Sequence, residues 1–198
     1  MTLLALIRHG PTEWNETGLV QGRSDVPLSD TGRDLVRSWR LPPELDGFEW
    51  VTSPLQRAHE TARMLAGRTV TADHRLVEMD WAVWEGRTLD DLRAEIGNLM
   101  VAWEARGLDF RAPGGESPRE VQERLRPFLA ERAKQKQPTV AVCHRGVMRA
   151  IYALAIDWDM TSKAPTRLAE SCVQLFELAE DGTPSVHRLD VSMVQGDP

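Results

Sequence analysis

The chain has 198 residues, of which 24 are Lys or Arg and 30 are Asp or Glu, so its formal net charge is −6. A chain of this length fits one domain with a substantial core that needs no disulfide or metal to hold it. The acidic balance argues against a nucleic-acid surface or an anionic membrane as partner, so any bound anion must meet a local concentration of positive charge.

The cellular compartment is predicted from the terminus and the cysteines. The apolar run at residues 1–7 falls far short of the about 18 residues that a membrane-spanning helix needs, and no basic leader precedes it. Two cysteines, Cys143 and Cys172, are too few for a disulfide framework and fit a reducing environment. We therefore expect a cytoplasmic protein.

Short apolar, β-branched runs alternate with helical patterns along the chain. In chain order they predict a strand at 3–7, a helix at 31–40, a strand at 50–53, helices at 54–65, at 89–103 and from 118, a strand at 139–143, a helix from 146, and strands near 172–178 and 186–189. This alternation is typical of an α/β domain with a mostly parallel sheet. The irregular segments 111–117 and 161–170 are too short to link two domains, so we expect residues 1–198 to form one domain.

Two helix starts are marked by Ser-Pro pairs. Ser53-Pro54 and Ser117-Pro118 each offer a serine cap with proline at the first helical position, and a Gln or Glu three residues after the serine closes the capping box. Behind Ser53, apolar residues recur at helical spacing, which predicts that Arg57 lies in the first turn and faces away from the core. Pro127 is expected to kink or end the helix that begins at 118.

Basic side chains and histidines follow three of the predicted strands. Arg8 and His9 follow the first strand, His144 and Arg145 follow the strand at 139–143, and Arg57 lies in the helix after the strand at 50–53. Open α/β sheets bind ligands at the carboxyl ends of their strands, where a free helix N-terminus also favours an anion. One such side chain alone is more often structural or solvated, but converging arginines need a shared counter-charge, which a phosphate supplies.

Five motifs follow one another between residue 3 and about residue 150. They are Arg8-His9-Gly10 with Thr12, Trp14-Asn15 and Gln21-Gly22; Ser53-Pro54-Leu55-Gln56-Arg57 with Thr61; Glu78-Met79-Asp80 with Trp84-Glu85-Gly86; Pro113-Gly114-Gly115-Glu116-Ser117; and His144-Arg145-Gly146. In this order they resemble the histidine phosphatase superfamily, which includes the cofactor-dependent phosphoglycerate mutases. The resemblance implies a phosphoglycerate mutase-like, three-layer α/β/α fold, with a cap insertion at about 80–115.

The same resemblance implies phosphoryl transfer through a phosphohistidine. His9 resembles the nucleophile, Arg8, Arg57 and His144 the phosphate pocket, and Glu78 the proton donor to the leaving group. Phosphoryl transfer depends mainly on positioning and electrostatic stabilisation, which guanidinium groups provide without a metal or cofactor. Neighbouring arginines also favour the neutral imidazole that must attack. The expected partner is a small phosphorylated substrate, and a homodimer is compatible with these expectations.

Further positions match the substrate contacts of the family. Thr12, Asn15, Gln21 and Gly22 resemble residues that bind the substrate or its phosphate, although residues 15–22 also fit an ordinary polar loop. Three other carboxylates, Glu13, Asp80 and Glu85, compete with Glu78 for the role of acid. Four tryptophans either line a pocket for an aromatic leaving group or belong to the core: Trp14, Trp81, Trp84 and Trp103.

Two positions depart from the family pattern. Pro11 replaces an acidic or amide residue, which removes one polar contact and stiffens the loop. Arg145 stands where a small residue is usual. Its side chain either points to solvent or adds an anion contact, in which case the substrate carries a second negative group.

Four alternative functions remain open at this point. Cys143, Gly146 and Arg149 are spaced as in the phosphate loop of cysteine-dependent phosphatases, but Val142 and Ala150 depart from that pattern. A metal site of His9, His144 and Glu78 would be opposed by the arginines. A binding module without catalysis and a phosphoglycerate mutase also fit the motifs; the short segment after the last predicted strand favours hydrolysis over the mutase.

Overall fold

A single mixed sheet forms the centre of the molecule. The computed structural model describes residues 1–194, and within that range six strands form the sheet in the order β3-β2-β4-β1-β5-β6. The strands are β1 (Thr2–Arg8), β2 (Glu49–Thr52), β3 (Thr71–Ala72), β4 (Thr139–Cys143), β5 (Cys172–Leu178) and β6 (Pro184–Ser192). The first four are parallel, while β5 and β6 add an antiparallel edge. The predicted α/β fold with a mostly parallel sheet is confirmed.

The helices connect the strands. They are α1 (Glu13–Glu16), α2 (Asp30–Ser38), α3 (Gln56–Ala66), α4 (Leu89–Ile96), α5 (Asn98–Glu104), α6 (Pro118–Gln135) and α7 (Arg145–Ala155), with 3-10 turns at Pro43–Leu45, His74–Leu76, Ala82–Trp84 and Gly107–Asp109. Across residues 1–194, no helix is long and apolar enough to cross a membrane. That residues 1–198 form one domain stays a prediction, and residues 195–198 lie outside the described residues.

Alternation along β1 builds one core on each face of the sheet. Leu4 and Leu6 pack with apolar residues of α6 and α7, whereas Ala5 and Ile7 pack with those of α2 and α3. Successive side chains of a strand point to opposite faces, so a continuous run of apolar residues indicates that both faces are covered. The result is the three-layer α/β/α arrangement, in which β1 and β4 lie buried at the centre.

Two local predictions are wrong, and a third is narrowed to one of its two outcomes. The helix predicted at 89–103 is interrupted at Gly97, whose φ of 61° is left-handed backbone, so α4 and α5 are separate. The helix after β2 begins at Gln56, and Leu55 rather than Ser53 is its N-cap residue. For Pro127, expected to kink or end the helix from 118, the ending is excluded, because α6 continues to Gln135 and buries Leu125, Phe128 and Leu129 around the proline; the kink stays a prediction. The capping box at Ser117 is confirmed.

Residues 80–115 carry their own small apolar cluster. Trp84 is buried there with Leu92 and Met100, and its ring stacks on Trp81 and Trp103 at centroid distances of 6.1 and 5.8 Å. Trp84 is therefore a core residue of this segment, as the second interpretation of the tryptophans predicted. This cluster is distinct from the two apolar clusters that flank the sheet, so residues 80–115 have a small hydrophobic core of their own.

Phe128 should be essential to the core between α6 and the sheet. Its ring is fully buried, with the guanidinium groups of Arg75 and Arg132 above it at 5.3 and 5.7 Å. We expect Phe128→Ala to lower the free energy of unfolding by about 3–5 kcal/mol, because it leaves a cavity that the core fills only partly. Urea unfolding measures this loss. Arg126→Ala, an exposed position of the same helix, should cost less than about 0.5 kcal/mol, and equal losses in both variants would contradict the packing described here.

Candidate active site

A cleft of about 580 Å³ opens at the carboxyl ends of β1 and β4. Of the predicted site residues, Arg8, His9, Asn15, Gln21, Glu78 and Arg145 line it. Residues 80–115 contribute Trp81, Met100 and Phe110 to its wall. Parallel pairing explains the position of the cleft, since Arg8 is opposite Cys143 in the register and both histidine loops leave the sheet there.

His9 is buried and held in one orientation. Its Nδ1 lies 2.7 Å from the carbonyl oxygen of Gly10, an acceptor, so Nδ1 carries the proton and Nε2 keeps its lone pair. The backbone N–H of Gly10 donates to the Thr61 hydroxyl at 3.0 Å, which fixes the loop. Burial first, and then the charges of Arg8 and Arg57, hold the pKa of His9 well below its ordinary value. His9 is thus a neutral imidazole at physiological pH.

His144 lies beside His9, with ring centroids 5.1 Å apart. Its Nε2 is 2.7 Å from the Ser53 hydroxyl, so Ser53 orients this ring instead of capping α3 as predicted. Its Nδ1 is buried without a hydrogen-bond partner among the described residues. Burial, followed by the neighbouring His9 and Arg57, lowers the pKa of His144 as well. Both rings are therefore neutral, and they do not repel each other.

Arg57 is fully buried, which corrects the prediction that it faces away from the core. Its two terminal nitrogens donate to the carbonyl oxygens of Ser24 at 2.9 Å and Gly22 at 2.6 Å. The helical periodicity missed this because the acceptors come from the loop that covers α3. The N-terminus of α3, which was expected to be free for an anion, is occupied by the Asp25 carboxylate, which accepts from the Gln56 N–H at 2.7 Å.

Arg8 has one terminal nitrogen in an ion pair, while its Nε is buried without a hydrogen-bond partner among the described residues. One of its terminal nitrogens pairs with Glu170, whose side chain is 66% exposed. Its Nε is buried without a partner in the part of the chain that the structure describes, as is the Nε of Arg57. Exposed ion pairs are weak, so an anion entering the cleft can compete with Glu170 for Arg8.

Glu78 is the buried carboxyl group of the cleft. Its Oε1 accepts from the backbone N–H of Met79 at 2.7 Å and its Oε2 from that of Gly146 at 3.0 Å. Burial raises its pKa, although these two hydrogen bonds and the charge of Arg57 oppose the change. Glycine at position 146 leaves room for this carboxylate, because a Cβ there would lie 2.4 Å from the Glu78 Oε1 and displace it.

The competing carboxylates have other structural partners. Glu85 accepts from the backbone N–H groups of Arg23 and Ser24 at 2.8 and 2.7 Å, and Asp80 accepts from that of Ala82 at 2.8 Å. Glu13 is exposed in α1. Among these four carboxylates, all within the described residues, Glu78 alone lines the cleft.

The predicted substrate contacts divide into two groups. Asn15 and Gln21 line the cleft. Thr12 is fully buried, and its hydroxyl caps α1 and accepts from the Gln21 amide at 3.0 Å. Gly22 offers its carbonyl oxygen to Arg57. The structure therefore does not bring Thr12 and Gly22 to the cleft surface; they position the residues that reach it, since the loop folds over them.

Arg145 is exposed and lines the cleft. Two further residues of the cleft, Arg149 and Glu170, were not predicted as site residues. The signal for Arg149 was available, because it follows Arg145 by four residues in a predicted helix and so lies on the same face. Glu170 lies in an irregular connection, where no periodicity indicates its position. Within residues 1–194 no group of three His, Cys, Asp or Glu side chains could hold a metal ion.

Comparison with known proteins gives consistent matches over most of the chain. The family model described as histidine phosphatase superfamily (branch 1) matches residues 4–191. A 2,3-bisphosphoglycerate-dependent phosphoglycerate mutase from Azorhizobium caulinodans is 30% identical over 94% of this chain and 97% of its own length. A glucosyl-3-phosphoglycerate phosphatase from Mycobacterium tuberculosis is 32% identical over 76% of this chain and 73% of its own.

Solved structures of phosphatases are also similar to this chain over nearly its whole length. The native structure of a mycobacterial glucosyl-3-phosphoglycerate phosphatase has a TM-score of 0.80 at 25% identity and covers 99% of this chain and 100% of its own. An alpha-ribazole phosphatase from Shigella flexneri also has a TM-score of 0.80 at 25% identity, with 100% of both chains covered. The resemblance drawn from the motifs is confirmed by the family match.

The cysteine alternative predicts an exposed, reactive thiol. Cys143 is fully buried in β4, and burial raises its pKa far above the ordinary value. A nucleophilic thiol needs the opposite environment. In the folded protein, any thiol that reacts with Ellman's reagent should be Cys172, and both should react in urea. If Cys143→Ser removed the thiol that reacts in the folded protein, the cysteine alternative would be restored.

Proposed function

Since this chain belongs to the histidine phosphatase superfamily, we propose that it hydrolyses a small phosphate monoester through a phosphohistidine on His9. The observation that carries the proposal is the neutral, buried His9, whose Nε2 lone pair is free beside two arginines in a cleft that also contains Glu78. A binding module without catalysis has no need for a nucleophile held in this tautomer.

The pocket is suited to a phosphate. Six buried side-chain nitrogens have no hydrogen-bond partner among residues 1–194, and three of them belong to neighbours of His9, namely Nε of Arg8, Nε of Arg57 and Nδ1 of His144. A buried donor without a partner costs free energy, so the oxygens of a phosphate that accept from these groups stabilise both the ligand and the pocket. Because both histidines are neutral, Arg8 and Arg57 supply the positive charge that balances a phosphate dianion.

The first step forms the covalent intermediate. The lone pair of His9 Nε2 attacks phosphorus, the bond between phosphorus and the ester oxygen breaks, and the leaving oxygen takes the proton of Glu78. The raised pKa of Glu78 favours the protonated form that this step needs. The positive charge that develops on the His9 ring is stabilised by the phosphoryl oxygens, which remain bound to the arginines.

The second step restores the enzyme. The Glu78 carboxylate takes a proton from a water molecule, the hydroxide attacks phosphorus, and the bond between phosphorus and Nε2 breaks. Inorganic phosphate leaves, His9 is again neutral, and Glu78 is again protonated. Both steps use the same residues, and no electron transfer is involved.

Replacing His9 should abolish turnover and labelling together. With p-nitrophenyl phosphate, we expect His9→Ala to lower kcat/KM by at least about a thousandfold, because the nucleophile is lost. His187→Ala, a control in β6, should behave as wild type. The wild-type protein should trap a phosphoryl group that is acid-labile and stable in base. Labelling that persists in His9→Ala but disappears in Cys143→Ser would contradict the proposal.

The leaving group should reveal the role of Glu78. A poor leaving group such as butoxide needs a proton, whereas p-nitrophenolate leaves without one, so Glu78→Gln should lower kcat/KM for butyl phosphate by about 10²–10⁴ and that for p-nitrophenyl phosphate far less. For butyl phosphate in the wild type, kcat/KM should fall as pH rises through the raised pKa of Glu78, because only its protonated form donates. It should also fall as pH drops through the lowered pKa of His9. Equal losses for both esters would exclude Glu78 as the acid.

Phosphoglycerate mutase is the second candidate function, because one relative at 30% identity is such an enzyme. Chain length does not separate the two functions, since the match covers 97% of that relative. Hydrolysis requires water as the acceptor of the phosphoryl group. With 3-phosphoglycerate as the test ester, any turnover should release inorganic phosphate in equal amount; conversion to 2-phosphoglycerate without phosphate release would favour the mutase.

A further inference from the structure

A second cavity of about 740 Å³ adjoins the cleft at the start of α7. Four residues line both cavities: Arg8, Arg145, Arg149 and Glu170. The outer wall of the second cavity comes from the connection between α7 and β5, including Lys163 and Arg167. A substrate bound at His9 can therefore extend directly into it.

This cavity is strongly cationic although the chain as a whole is acidic. Five basic side chains line it, namely Arg8, Arg145, Arg149, Lys163 and Arg167. Of the carboxylates in residues 1–194, Glu170 alone lines it and pairs with Arg8, so at most one of the five cations is neutralised from within the cavity. The remaining four cations lie together in a protein whose formal net charge is −6.

These four cations also lack carboxylate partners. Exposed arginines elsewhere, such as Arg93 and Arg119, form ion pairs with Glu104 at 3.1 Å and Asp109 at 2.6 Å. By contrast, no carboxylate of the described residues lies within 4.0 Å of the charged nitrogens of Arg145, Arg149, Lys163 or Arg167. One unpaired surface cation needs no explanation, but four around one cavity repel each other unless an anion is bound.

Arg149, the second arginine of α7, is held in place. Arg149 follows Arg145 by one helical turn, and its guanidinium lies 5.2 Å from the ring centre of Trp158, which also lines the cavity. Burial, and then the charge of Arg145, lowers the pKa of Arg149. The pKa of Arg145 is lowered as well: although its side chain is exposed at the surface, its guanidinium loses part of its hydration, and the charge of Arg8 adds to the effect. Arg149 is therefore a prearranged anion donor, which reduces the entropy lost on binding.

We propose that this cavity is a subsite for a second anionic group of the substrate, so that the physiological substrate is a phosphomonoester that also carries a carboxylate or a second phosphate. The inference rests on the proposed function, because the first phosphate must be bound at His9. It assigns Arg145 to the specificity of the enzyme rather than to solvent. The apolar lining of the cleft, with Trp81 and Phe110, can bind the uncharged part of the same molecule.

A matched series of esters tests the subsite. The full chain is assayed with butyl phosphate, 4-phosphonooxybutanoate and butane-1,4-diol bisphosphate, together with their hexyl homologues, so that the members of a series differ only in the terminal group. We expect kcat/KM for at least one doubly anionic ester to exceed that of the plain ester by about tenfold to a hundredfold, the usual range for one or two hydrogen bonds to charged groups. Comparing carboxylate with phosphate identifies the preferred group.

Variants assign the effect to the cavity. In the double variant Arg145→Ala with Arg149→Met, which removes the two cations of α7 that line both cavities, the ratio of kcat/KM for the preferred doubly anionic ester to that for the plain ester should fall toward one. Raising the ionic strength should lower the same ratio in the wild type, because the cations are partly exposed. The control Arg68→Ala replaces an exposed arginine just beyond the C-terminal end of α3 and should keep the wild-type ratio.

Each outcome separates the two proposals. Hydrolysis of all esters at similar kcat/KM would overturn the subsite and leave the phosphatase intact. A preference that survives in the double variant would show that the second anion binds elsewhere, and would also overturn the subsite. Failure to hydrolyse any ester, with no difference from His9→Ala, would overturn the proposed function and the subsite with it.

Discussion

The parallel pairing of β1 with β4 is the constraint on which the site depends. Arg8 lies opposite Cys143 in the register, and the His9 N–H continues the ladder with a hydrogen bond of 3.1 Å to the Cys143 carbonyl oxygen. One residue later the two strands diverge into loops that carry His9 and His144. A shift of one residue would reverse every side chain of the strand, so the apolar residues that bury both faces of β1 also fix the distance between the histidines.

Charge is the second constraint, and it explains why the site is built around neutral rings. Arg8 and Arg57 lie close to His9 and His144 in a buried environment, where two additional positive charges would be costly. Keeping both imidazoles neutral removes that cost and also makes Nε2 of His9 nucleophilic. Because salt screens surface charge beyond about 8 Å, an acidic exterior does not oppose this small cationic pocket. The acidic net charge therefore argues against large polyanionic partners and not against a small phosphorylated one.

The sequence was most informative where local pattern and tertiary contacts agree. The strands β1, β4 and β5 are predicted within one residue at each end, because apolar β-branched runs bounded by polar residues have few alternatives. The motifs also identified His9, Glu78 and Asn15 at the cleft. The capping box at Ser117 was also predicted correctly, because its partner Glu120 is only three residues away.

The predictions failed where the deciding partner is distant in sequence. Ser53 has the local pattern of a helix cap, but its hydroxyl binds His144, which is 91 residues away. Arg57 has the periodicity of an exposed residue, but carbonyl groups 33 and 35 residues earlier fold over it and bury it. Glu170 reaches the cleft through the irregular connection between α7 and β5, whose path no local rule describes. These contacts depend on the assembled sheet rather than on local propensity.

The central claim is that Nε2 of His9 carries the phosphoryl group during turnover. Heteronuclear NMR of the trapped phosphoenzyme, prepared with ¹⁵N-labelled histidine, tests it most directly. The account predicts coupling between phosphorus and Nε2 of His9, with the proton on Nδ1 still bonded to the Gly10 carbonyl oxygen. Coupling to Nδ1, to His144 or to any other group would contradict it.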